Sequence, residues 1–193
     1  NGYTGNTLTT AALRAQEFVN LDLCEYNKYV DEYNAKLTDP DAKRLVKVTS
    51  LKGLSYCTNL HALDISGLKL RDGSINQIAT LSKLEILIAR DCGLENMSTG
   101  STAVLDNAIN LKVLDLSSNN FTRLDSVLAD DVTYGQLREV YLSNNKLYDI
   151  SALANAPALS MLSLSGNGLE TEDLKQLNSF TYLNYLSLAH NQI

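Results

Sequence analysis

One spacing recurs along this chain and constrains its fold more than any other feature. Six segments share it: Leu60-x-x-Leu63-x-Ile65-x-x-Leu68-x-Leu70, Leu84-x-x-Leu87-x-Ala89-x-x-Cys92-x-Leu94, Leu111-x-x-Leu114-x-Leu116-x-x-Asn119-x-Phe121, Leu137-x-x-Val140-x-Leu142-x-x-Asn145-x-Leu147, Leu159-x-x-Leu162-x-Leu164-x-x-Asn167-x-Leu169 and Leu183-x-x-Leu186-x-Leu188-x-x-Asn191-x-Ile193. Their starts lie 24, 27, 26, 22 and 24 residues apart. A period in this range is the signature of stacked units rather than of one closed core. The central pair of apolar residues alternates with period two, which predicts a short strand with one buried face. One such strand cannot bury that face alone. Stacking the units buries it and builds a parallel sheet with strands about 4.8 Å apart.

After each strand the chain must turn, and an asparagine amide suits that place because it satisfies backbone groups outside the ladder. Asn119, Asn145, Asn167 and Asn191 are therefore expected to stack into a ladder, with Cys92 substituting in the second unit and Leu68 in the first, where the ladder should fray. The return path is also legible. Leu51-Leu54-Cys57-Leu60, Ile75-Ile78-Leu81-Leu84, Ile150-Leu153-Ala156-Leu159 and Leu174-Leu177-Phe180-Leu183 each place an apolar residue at every third position. That step keeps one face of a 3₁₀ turn buried. Residues 170–180 are expected to make a full helical turn or two. Two units carry additional residues, at 96–107 and 124–136, which read as loops decorating the solenoid in preference to forming its binding surface.

The six segments resemble the leucine-rich-repeat family, L-x-x-L-x-L-x-x-N/C-x-L, over residues 60–193. The 22-residue unit, with its short step-of-three return, is similar to the repeats of bacterial internalin-like surface proteins; the 26- and 27-residue units depart from that period. The resemblance implies an α/β fold: a right-handed solenoid with a curved parallel β-sheet on the concave side, short 3₁₀ or turn segments on the convex side, and an N-terminal α-helical cap. It also implies recognition or adhesion, and a secreted or cell-surface protein.

The N-terminal region fits a cap, which an open solenoid end requires. Residues 1–10 are polar and turn-rich. Residues 11–19 read as helical, with Thr10 as N-cap. Leu23, Tyr26, Val30, Tyr33 and Leu37 form one apolar face of a helix. Asn20 is its candidate cap, and Asp22 and Glu25 suit its positive end. Thr38 with Asp41 three residues on, and Pro40 between them, predicts a second helix start. The expected division is a polar segment and helical cap at 1–45, then a solenoid of about six repeats at 46–193. The last repeat signature stops at Ile193 with no cap after it. The readings are a longer parent protein, which is favoured, a second copy covering the end, or a tolerated exposure.

Net charge is −6 and no basic cluster is present, so nucleic-acid binding is not expected. No apolar run is long enough to span a membrane. Cys24, Cys57 and Cys92 match no metal or redox spacing and read as small buried hydrophobes. His61 and His190 sit five strands apart, Ser117, Ser143 and Ser165 share one repeat position, and the paired acids Asp130 and Asp131 fit no calcium loop. A catalytic constellation, cofactor or metal site is therefore not expected. Asn96-Met97-Ser98 and Asn120-Phe121-Thr122 are glycan acceptor triplets, meaningful only in a eukaryotic secretory path.

What remains is the outward face of the sheet. In the repeat frame it displays an apolar lane, Ile86, Ile88 and Val113, beside Arg90 and Asp115, and a second group of Glu139, Tyr141, Met161 and Tyr185. Aromatic and Arg side chains in an apolar field are common anchors for protein partners. These residues are the candidate contacts for a protein or peptide, or a glycan. The alternatives are an intracellular, cytoplasmic scaffold or regulatory subunit, which free cysteines suit, and a structural repeat that self-associates through its open C-terminal end.

Overall fold

The computed structural model describes residues 20–70, 73–96 and 103–193. The predicted helix at 11–19, its Thr10 cap, the polar segment 1–10 and part of the Asn96 triplet lie outside the described residues. Seven strands of three residues each form one parallel sheet: β1 (Asn20–Asp22), β2 (Ala62–Asp64), β3 (Ile86–Ile88), β4 (Val113–Asp115), β5 (Glu139–Tyr141), β6 (Met161–Ser163) and β7 (Tyr185–Ser187). Each strand pairs only with its sequence neighbours, in the order β1 to β7. The sheet is open, and the fold is a leucine-rich-repeat solenoid with an α-helix at its N-terminal end. Every predicted repeat supplies one strand, and register aligns the central apolar residues Leu63, Leu87, Leu114, Val140, Leu162 and Leu186.

The core is the stack of repeat leucines. Leu60, Leu84, Leu111, Leu137 and Leu159 are wholly buried, as are the central Leu114, Val140 and Leu162. On the return path the step of three does form 3₁₀ turns, at Leu54–Tyr56, Ser74–Thr80, Ser151–Asn155 and Thr171–Ser179. Cys57 closes the first of these and is buried. The longer units thicken the core. Val104, Leu105, Val127 and Leu128 are buried, and Val104 N–H and Leu105 N–H donate to Ser126 O and Val127 O across the stack, at 3.0 Å each. Tyr134 is the largest buried side chain there; its hydroxyl donates to Leu105 O at 3.3 Å and accepts from Ala129 N–H at 2.9 Å. Burial raises its phenol above the ordinary range. Ala89 occupies the place where other units carry Leu or Ile, beside Phe121, and a cavity of about 10 Å³ remains among these side chains.

The asparagine ladder is present and its wiring is regular. Asn145 Nδ2 donates to Leu116 O of the preceding unit (3.0 Å) and to Leu142 O of its own (2.9 Å), while its Oδ1 accepts from Phe121 N–H (3.1 Å). Asn119, Asn167 and Asn191 repeat the arrangement. Cys92 performs one part of it, donating its thiol to Ile65 O at 3.1 Å. In every unit the residue just before this ladder position is left-handed: Gly67, Asp91, Ser118, Asn144, Gly166 and His190. Small, Asn, Asp and His side chains tolerate that conformation best. His190 is thereby explained as a turn residue.

Three expectations at the N-terminal end are corrected. The cap of the helix α1 (Leu23–Ala35) is Asp22, whose carboxylate accepts from Glu25 N–H at 2.7 Å; Asn20 instead opens β1 and pairs with Ala62. No helix starts at Thr38. Asp39 Oδ1 captures Asp41 N–H at 2.9 Å and closes a turn, and the chain then runs without regular secondary structure over 43–50. This run is held by side-chain amides of α1. Asn34 exchanges two bonds with the Leu45 backbone at 2.9 Å each, and Asn27 does the same with Val48 at 2.9 and 2.8 Å. These asparagines share the packed face with Leu23 and Val30, which leaves Tyr33 exposed rather than in the buried stripe.

Candidate concave binding face

Two rows of side chains stand outward on the sheet because each strand residue on either side of the buried central one must point away from the core. In-register pairing fixes the rows. The first runs Asn20, Ala62, Ile86, Val113, Glu139, Met161, Tyr185. The second runs Asp22, Asp64, Ile88, Asp115, Tyr141, Ser163, Ser187. All nine candidate residues therefore lie on one face, with Arg90 two positions beyond Ile88. Ile86 (36% exposed), Tyr185 (48%) and Arg90 are exposed, and Ile88, Val113, Glu139, Tyr141 and Met161 are half-buried.

Asp115 is the exception. Its frame position is outward, but it is only 2% exposed. Arg90 Nε donates to its Oδ2 at 2.5 Å and Ser117 N–H to its Oδ1 at 3.0 Å, so both oxygens are committed within the chain. Asp115 is corrected from a partner contact to an anchor for Arg90, whose guanidinium it holds against the sheet in a charge-assisted bond. Asp115 ends β4 while Arg90 lies two residues past the end of β3, 25 positions earlier, which is why the sequence frame alone missed the pairing.

The second group is knitted together. Tyr141 OH lies 2.9 Å from Glu139 Oε2 and 2.8 Å from Met161 Sδ. Burial, then the bond to Glu139, raise the Tyr141 phenol, so it remains a neutral donor across the physiological range. Further along, Ser143 and Ser163 hydroxyls pair at 2.7 Å, and Ser165 and Ser187 at 2.6 Å. The face thus changes character along its length: acidic at β1 and β2, apolar at β3 and β4, aromatic and thioether at β5 to β7, with a serine margin.

Among the described residues, one trio brings metal-type donor atoms together: those of Asp22, Cys24 and Asp64 lie within 4.8 Å of one another. Asp22 already caps α1, and Asp64 Oδ1 accepts from Ser66 N–H at 2.8 Å. The three cysteines are free. Burial pushes the Cys92 thiol up to about 12 and raises Cys57 as well, which keeps both protonated. Asn96 of the glycan triplet has its amide tied to Thr122, at 2.9 Å to the backbone and 2.6 Å to the hydroxyl. No helix among the described residues is long and apolar enough to cross a membrane.

Comparison with known proteins accords with the repeat. A leucine rich repeat family model matches residues 109–169. Toll-like receptor 2 of Ovis aries is 36% identical over 81 residues, covering 42% of this chain and 10% of the receptor. A protein phosphatase 1 regulatory inhibitor subunit PPP1R7 homolog of Arabidopsis thaliana is 30% identical over 150 residues, covering 78% of this chain and 41% of that protein. The chain thus spans about a tenth of the length of the first and about two-fifths of the second. The crystal structure of an internalin C2 from Listeria monocytogenes aligns with a TM-score of 0.47 at 21% identity, covering 94% of this chain and 84% of that one.

Proposed function

We propose, with the leucine-rich-repeat solenoid as premise, that this chain is a non-catalytic recognition module that binds a protein or peptide on its concave sheet. The observation that carries the reading is the pre-set face itself. Ile86, Ile88, Val113, Tyr141, Met161 and Tyr185 present apolar and aromatic surface on β3 to β7, and the central residues of β3 to β6 are packed in the core behind them. Rigid presentation lowers the entropy cost of binding, and aromatic anchors beside apolar side chains are the residues that carry interface energy.

The setting we favour is a secreted or surface-attached bacterial adhesion or recognition protein, in keeping with the internalin-type repeat. A second reading has its own support: an intracellular regulatory subunit or scaffold. Three free cysteines suit a reducing compartment, and the alignment with the phosphatase regulatory subunit homolog covers 78% of this chain. A glycan ligand is a lesser form of the same proposal.

The test is selection of binders from a random peptide library on the whole chain, followed by affinity measurement on two variants. Ile86→Ser with Ile88→Ser removes the apolar lane without adding charge. Ile109→Ser alters an equally apolar side chain, 54% exposed in the turn before β4 and off both rows. The lane variant is expected to weaken binding about tenfold or more, and the control to leave it unchanged. Binders that lose affinity only to the control change refute a concave site.

A further inference from the structure

We infer that the partner segment is basic: an extended peptide crossing the strands, with apolar side chains on the Ile86–Ile88–Val113 lane and a cation at each flank, one for Asp22 and Asp64 and one for Glu139. This inference rests on the concave-face reading and adds the partner's chemistry to it.

The argument is a balance of charge on one face. Its acids are Asp22, Asp64, Asp115 and Glu139, and its base is Arg90. Arg90 is spent on Asp115, which is buried beneath it. Among the described residues, the remaining three carboxylates form no ion pair. Three described lysines at that end, Lys28, Lys47 and Lys69, form their ion pairs with other acids, and of these Lys28 also feels the charge of Asp22. Lys28 lies 3.6 Å from Glu25, Lys47 lies 2.6 Å from Asp31, and Lys69 pairs with Asp91. Asp22 and Asp64 are cross-strand neighbours in register, and like charges placed so repel. A Lys or Arg laid over both removes that repulsion and gains two charge-assisted bonds. An anionic partner would meet three carboxylates that form no ion pair among the described residues, and one occupied guanidinium.

Spacing gives the partner a pattern. Asp64 on β2 and Glu139 on β5 are three strand intervals apart, roughly 14 Å at the usual interstrand distance. An extended peptide covers that in roughly four residues. Two basic residues about four positions apart, with Leu or Ile between them, satisfy both the carboxylates and the isoleucine lane. The lane lies between the two acidic flanks, so the apolar and ionic contacts reinforce one another in one register only.

The experiment uses two short synthetic peptides, Lys-Ile-Ser-Leu-Lys and Glu-Ile-Ser-Leu-Glu, each flanked by Gly-Ser and titrated by NMR into the whole chain and into Asp22→Asn with Asp64→Asn. Asparagine keeps the helix cap and the backbone acceptor, so the variant folds. The lysine peptide is expected to bind the wild type at least about fivefold more tightly than the glutamate peptide. That preference should fall in the variant and at high salt, where exposed charges are screened. Equal or tighter binding of the glutamate peptide, an unchanged preference in the variant, or no binding of either peptide overturns the inference. Library binders that require the Ile86–Ile88 lane but carry no basic pair overturn it while leaving the concave-face reading intact. Binders indifferent to the lane overturn that reading itself.

Discussion

Replacing Asn145 by Ala tests how the units are joined. The side chain is 8% exposed and makes three bonds across two units. Two of its acceptors are shared: Leu116 O also receives Asn119 Nδ2 at 2.8 Å, and Leu142 O also receives Asn167 Nδ2 at 3.0 Å. Those carbonyls keep a partner in the variant. Phe121 N–H does not, and an orphaned buried donor costs about 1–3 kcal/mol. Adding the net loss of the other two bonds gives about 2–4 kcal/mol. For a chain of this size that is a fall in Tm of about 4–16 °C. Asn191→Ala breaks the equivalent bonds at the half-exposed end, where water replaces part of them, so about 1 kcal/mol is expected. Urea denaturation followed by circular dichroism reads both. The pair Asn119→Ala with Asn145→Ala strips Leu116 O of both Nδ2 donors, so its cost should exceed the sum of the singles by about 1–3 kcal/mol. Asn119 and Asn167 share no carbonyl, and their costs should add. An Asn145→Ala variant within about 0.5 kcal/mol of wild type, or equal coupling in both pairs, refutes nearest-neighbour wiring.

Three other outcomes follow from the structure. Ser118→Gly should stabilise by about 1 kcal/mol, because residue 118 sits at φ 59°; Gly166→Ala should destabilise, since its φ is 70° and the new Cβ would lie 2.6 Å from Asn144 Oδ1. Thermal melts of the two variants should move in opposite directions. Tyr134→Phe should cost about 1–3 kcal/mol by leaving Ala129 N–H without its acceptor, which the same melts measure. Iodoacetamide at neutral pH should label Cys24, half-buried, and spare the buried Cys57 and Cys92 until the chain unfolds, as peptide mass mapping will read.

Much of the fold was legible because one chemical pattern governs each unit. The apolar pair L-x-L placed every strand from β2 to β7, and the asparagine positions placed the ladder. β1 lacked that signature: Asn20-Leu21-Asp22 carries one apolar residue, and only its packing beside β2 makes it a strand. The helix start expected at Thr38 failed because Asp39 bonds its own neighbour's backbone, a local competitor of helix that a capping pattern does not exclude. The amide clips of Asn27 and Asn34 act over 21 and 11 residues, beyond any periodicity, although two asparagines seven apart on a helix face were a usable signal. The concave rows were placed by the frame, but outward did not mean open to a partner. Asp115 shows why: whether a side chain on a sheet is free depends on what the next strand supplies, and Arg90 supplies a cation.

The central claim is that the concave sheet is the recognition surface, and methyl NMR addresses it most directly. Isoleucine methyls are labelled in the whole chain and followed while a library-selected peptide is titrated in. The account predicts that the Ile86 and Ile88 methyls shift and saturate together, with Ile109 and the buried Ile75 and Ile78 unmoved. Saturating shifts at Ile109 with Ile86 and Ile88 silent would contradict it.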